Sequence, residues 1–93
     1  MSRAFVKEDS GDGPEHRYNL PERDSPYYAE AAAWALIEGA NRGDTLGAEQ
    51  ATGYAWGDRA LVEHMRTIER QAEEQDDRRT AQLARRYLRA ART

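Results

Sequence analysis

Ninety-three residues suffice for one small domain. Charged residues make up 33% of the chain, and the mean hydropathy is −1.03, so no run approaches the ~18 apolar residues of a membrane span. There is no cysteine, which removes disulfides, thiolate zinc sites and a cysteine nucleophile.

The opening "MSRAFVKEDS" lacks the apolar core of a secretory signal, and with zero cysteine this points to a cytoplasmic protein. The formal net charge of −3 argues against direct, broad nucleic-acid binding. The charge is unevenly distributed, however. Arg78, Arg79, Arg85, Arg86, Arg89 and Arg92 fall in the last sixteen residues, with no acid among them. Cations near a helix C-terminus complement its dipole, which is one reading. A basic face offered to an anionic partner is the other.

Residues 1–24 are poor in apolar side chains and carry Gly11, Gly13, Pro14 and Pro21 among charges, the pattern of a flexible arm. Phe5-Val6 and Tyr18-Leu20 are candidate docking elements within it. A helical domain is expected over 25–93. Ser25 is placed as an N-cap and Pro26 as the first residue of a helix running through "YYAEAAAWALIEGANR". Tyr28, Ala32, Ala35, Leu36 and Gly39 recur at helical spacing, with Ala31, Trp34 and Ile37 widening the stripe. This should be the most buried helix. Gly43 suits the left-handed position that ends it.

Asp44 is an N-cap candidate for a two-turn helix, "TLGAEQAT", closed by Gly53. Gly47 weakens that helix by about 1 kcal/mol relative to Ala, and suggests close helix–helix approach there. Next comes "ATGYAWGD", where Gly53 and Gly57 bracket Tyr54 and Trp56. The glycines allow a sharp corner. The rings either staple the core or present a partner surface.

Asp58 is the expected N-cap of a third helix, whose Leu61, Met65, Ile68 and Ala72 make the cleanest amphipathic pattern, with Val62 beside them. Asp76 or Asp77 caps a fourth, with Thr80, Leu83, Ala84, Tyr87, Leu88 and Ala91 inward. No segment alternates long enough to be a strand. The fold class is therefore all-α, a bundle of about four helices in two hairpins. A weak echo at an offset of 32 residues pairs Leu36, Ala40 and Asp44 with Ile68, Ala72 and Asp76.

Catalytic and metal-binding signals are missing. His16 and His64 stand apart, and Ser2, Ser10 and Ser25 have no histidine partner. Glu73-Glu74 and Asp76-Asp77 read as caps and solvated charge. No catalytic residue, metal ligand or cofactor is expected. A minimal Mg²⁺ enzyme built on Asp44 and Glu49 is the remote alternative. The expected function is a protein-interaction module, with Phe5, Tyr54, Trp56, Arg78, Arg79, Arg85, Arg86 and Arg89 as candidate partner contacts. A homodimer would be one way to cover leftover apolar stripe.

The segment "SRAFVKED", Ser2 to Asp9, resembles the start of some bacterial Gre-type transcript-cleavage factors, and Gly43-Asp44 in "RGDTLGAEQ" is similar to their hairpin tip. The resemblance implies an antiparallel helical hairpin that enters the secondary channel of RNA polymerase, with tip acids holding Mg²⁺. Gly47 stands where the tip Glu would, and Glu49 is the next acid. The implied protein is thus an RNA polymerase-binding regulator without transcript cleavage.

Overall fold

The computed structural model describes residues 18–92, which form four α-helices. These are α1 (Tyr28–Asn41), α2 (Thr45–Thr52), α3 (Val62–Glu74) and α4 (Arg78–Arg92), and a single 3₁₀ turn, Arg59–Leu61, leads into α3. No strand occurs among the described residues. Phe5, His16 and the Ser2–Asp9 segment lie outside them.

Two antiparallel hairpins, α1–α2 and α3–α4, pack through α1, which touches every other helix. Its sequence explains this position. Ala32, Ala33, Ala35 and Gly39 are buried beside Leu36 and Ile37, and the four small residues let neighbours approach from several sides. The second hairpin supplies the bulkier half of the core: Leu61, Met65, Ile68, Leu83 and Tyr87 are each at most 2% exposed.

The packed chain begins ahead of the boundary expected after Asp24. Tyr18 is buried in the core and Leu20 rests against it. Ser25 is not the N-cap of α1. Its Oγ accepts from the Tyr27 amide at 3.1 Å, closing a separate turn, and α1 starts at Tyr28 with no side-chain cap. Trp34 also departs from the inward stripe and is 41% exposed. Its neighbours on the helix surface, Glu30 and Glu38, are exposed as well, so the tryptophan belongs to the outer face.

The two hairpin corners share one construction. At the end of α1, Asp44 N–H donates to the Gly39 carbonyl and Gly43 N–H to that of Ala40. At the end of α3, Asp77 N–H donates to the Ala72 carbonyl and Asp76 N–H to that of Glu73. Each is a Schellman motif, which needs a left-handed residue after the helix. Gly43 fills that place at φ 75°, and Asp76 fills it at φ 60°. The next residue in each case caps the following helix. Asp44 accepts from Gly47 N–H at 3.3 Å, and Asp77 from Thr80 N–H at 3.2 Å. The hairpins therefore correspond at an offset of 33, one residue from the echo read in the sequence. Asp44 matches Asp77, and Asp76 matches Gly43.

Close approach of helices falls at Gly39 rather than Gly47. A Cβ on Gly39 would lie 2.6 Å from the Ala48 Cβ and 2.9 Å from the Asp44 carbonyl oxygen. Gly47 has another role. Its missing side chain makes room for the capping carboxylate of Asp44.

Candidate functional site

Four carboxylates, those of Asp44, Glu49, Asp58 and Asp77, serve backbone amides. Asp44 caps α2 and also accepts from the Tyr18 hydroxyl at 2.8 Å. Glu49 Oε2 accepts from the Trp56 amide at 2.7 Å. Asp58 accepts from Ala60 N–H at 2.9 Å, capping the 3₁₀ turn that precedes α3. Asp77 caps α4, and its hydrogen bonds to Thr80 hold its carboxyl below the usual range. Among the described residues, no three His, Cys, Asp or Glu side chains are grouped as a metal would require. Glu49 ties the aromatic corner down, a link that no local pattern in the sequence announces.

That corner turns largely inward. Gly53 and Gly57 take φ of 81° and 92°. The chain can then fold Tyr54 and Trp56 back against the core, where both are half-buried. The Trp56 ring meets Tyr87 edge-on with centroids 5.0 Å apart, a favourable aromatic geometry. Gly57 lies against α4, where a Cβ would come 3.0 Å from that of Ala90. Tyr54 and Trp56 thus act first as a staple between the corner and α4.

Buried tyrosines pin the loops to the helices. The hydroxyl of Tyr28 donates to the Thr52 carbonyl at 2.9 Å, and that of Tyr87 to the Asp58 carbonyl at 2.8 Å. Burial, reinforced by the nearby Asp58, pushes the Tyr87 phenol up to about 12. Tyr18 is raised by burial too, and the Arg42 guanidinium sits 4.9 Å from its ring centroid. All three hydroxyls serve as hydrogen-bond donors.

The arginines of α4 divide into two groups. Arg85 bridges to α3, at 2.8 Å from Glu73 and 3.5 Å from Glu69. Arg79 donates through Nε to Asn41 Oδ1 at 3.0 Å and through Nη1 to Gln82 Oε1 at 3.2 Å. Arg78 lies 3.8 Å from Asp76. Arg86, Arg89 and Arg92 are exposed, and their side chains make no hydrogen bond or ion pair with another described residue. Below this face, between the start of α3 and the end of α4, runs an open groove of about 510 Å³. Val62, Leu88 and Ala91 give it an apolar floor, and around it stand Arg92, Arg59, which donates to the Ala91 carbonyl at 3.1 Å, and the ion pair of Arg66 with Glu63 at 2.9 Å. An adjoining hollow of about 300 Å³ shares Leu88 and Arg92 and adds Arg89 and the paired Arg85 and Glu69. The sequence indicated the arginines. It did not indicate the groove, because Arg59 comes from the 3₁₀ turn and Arg66 from α3.

No described helix is long and apolar enough to cross a membrane. No family model matches this chain, and comparison with curated proteins and with solved structures finds no match either.

Proposed function

We propose that this protein is a small, non-catalytic, cytoplasmic interaction module that meets an anionic protein surface through the arginine face of α4. The observation that carries the reading is the state of Arg86, Arg89 and Arg92. Three exposed cations on one helix have no side-chain bond within the described fold; Arg92 lines the apolar groove and Arg89 the hollow that adjoins it. Mixed apolar and arginine surface is what protein contacts favour. Absence of catalysis is supported by the use of Asp44, Glu49, Asp58 and Asp77, whose carboxylates are committed to backbone amides.

Co-purification from native extract tests this. A protein retained by the wild type should be lost with R86Q/R89Q, a variant that leaves every mapped hydrogen bond intact. Undiminished capture by the variant, or nothing captured by the wild type, overturns the reading. RNA polymerase is the partner that the N-terminal resemblance suggests, and probing the same eluate for it tests that identity. Gly43-Asp44 does lie at a helix–helix corner, as that alternative requires, but Asp44 there is held by Gly47 and Tyr18.

A further inference from the structure

The charges around the α3–α4 groove do not balance. The groove and the hollow that adjoins it are lined by five arginines and two glutamates. Two of the arginines are neutralised in place, Arg66 by Glu63 at 2.9 Å and Arg85 by Glu69 at 3.5 Å. The other three, Arg59, Arg89 and Arg92, are exposed and form no ion pair with a described residue. Arg59 is also held in position. Its Nε donates to the Ala91 carbonyl at 3.1 Å, and both terminal nitrogens of its guanidinium stay uncommitted among the described residues. Between these cations the floor is apolar, and Val62 and Leu88 are only half-buried there. A surplus of three positive charges around a wet apolar floor, in a chain of net charge −3, is a local and specific feature.

We infer that this groove seats an acidic peptide segment of a partner protein by one bulky apolar side chain. The inference rests on the reading of α4 as a contact surface, and it names what the partner presents there. The apolar side chain lies on Val62, Leu88 and Ala91. Carboxylates on either side of it meet Arg59 and Arg92 at the groove and Arg89 at the adjoining hollow, where guanidinium forks take carboxylates by paired hydrogen bonds. Three separate cations call for several carboxylates along one chain. Arg89 and Arg92 stand about 4.5 Å apart along the axis of α4, and Arg59 belongs to the 3₁₀ turn across the seam. An amphiphile with a single carboxylate would leave most of that charge unmet. A nucleic-acid strand fits less well, because no lining residue is aromatic to stack a base, and Glu63 and Glu69 stand among the arginines.

Amide chemical shifts of the full chain, titrated with synthetic probes, test the inference. The first probe is a short peptide of glutamates around a central phenylalanine. The second replaces the phenylalanine by serine, and the third is an oligothymidylate of matched charge. The phenylalanine peptide should shift Val62, Leu88 and Ala91 and bind at least about tenfold tighter than the serine peptide, the difference one buried anchor makes. The oligothymidylate should bind no tighter than the serine peptide. Val62→Glu puts an acid at the first residue of α3, where the helix dipole favours it, so helical circular dichroism should be retained. That variant and R59Q/R92Q should each weaken the phenylalanine peptide at least about tenfold. Equal binding of the two peptides overturns the inference, as do shifts that miss Val62 and Leu88, tighter binding of the oligothymidylate, or no saturable shift at about 1 mM peptide. If R86Q/R89Q loses a captured partner while Val62→Glu keeps it, the arginine face stands and the groove is not its seat.

Discussion

The two hairpins use the same corner and fill it differently. Both close with a Schellman turn followed by a capping aspartate. In α1–α2 the helices come together over Gly39 and Ala48, and α2 buries only the small residues Gly47, Ala48, Ala51 and Thr52. In α3–α4 the corresponding positions are Ala72 and Ala81, and Met65, Ile68, Leu83 and Tyr87 fill the space. The comparison shows two ways to stabilise one motif. The first hairpin relies on close backbone approach and tyrosine pins, whereas the second relies on bulky side chains and the Arg85 ion pairs. Only the second leaves a basic face outside.

The largest expected effect comes from removing the bulk that distinguishes α3–α4. Tyr87→Ala should cost about 3–5 kcal/mol in chemical denaturation, because the ring is fully buried, supports Trp56 and holds the Asp58 carbonyl. Tyr87→Phe, which keeps the packing, should cost nearer ~1 kcal/mol. A small effect of Tyr87→Ala would mean that the second hairpin is not the bulk-dependent half.

Gly39→Ala probes the opposite half. Alanine is the better helix former by about 1 kcal/mol, yet its methyl would collide with Ala48 and a backbone carbonyl. We expect a net loss of about 1–3 kcal/mol in the same assay. A stabilised Gly39→Ala would show that α1 and α2 are not in close contact.

Alkaline titration separates the pins from the packing. Tyr87 and Tyr18 bind their protons more tightly folded than unfolded. Their contribution to stability is therefore full below pH 10 and is lost as pH climbs toward the folded value of about 12 for Tyr87. The melting temperature should fall through that window, and the fall should be shallower in Tyr87→Phe. An identical slope would remove the phenol from the account.

Asp76 gives the smallest effect and the sharpest comparison. It holds the left-handed place that Gly43 holds in the first hairpin. Asp76→Gly should raise stability by about 0.5–1 kcal/mol, while Gly43→Ala should lower it by a similar amount. Equal and unchanged melting curves would deny the correspondence of the two corners.

Much of this fold was legible because helices announce themselves by period and punctuation. The spacing of Leu61, Met65, Ile68 and Ala72 fixed the inward face of α3, and Gly43, Asp44, Gly53 and Asp58 marked real turns and caps. Ser25 misled because a hydroxyl can satisfy the amide of an isolated turn as readily as that of a helix. Trp34 misled because, within an unbroken apolar run, the outward side is decided by what packs against the helix. The Glu49–Trp56 and Tyr18–Asp44 bonds join residues whose meeting depends on tertiary structure, so no local pattern predicts them. At the candidate site the arginines could be read from the sequence. Their division into paired and unpaired groups required the positions of α3 and Asn41.

The account turns on Arg86 and Arg89 serving contact rather than the fold. Chemical denaturation of R86Q/R89Q is the most direct test. The account predicts a loss below about 1 kcal/mol, no more than the helix-dipole contribution of Arg89. A loss of about 2 kcal/mol or more would contradict it, because the two arginines would then belong to the structure and not to a surface kept for a partner.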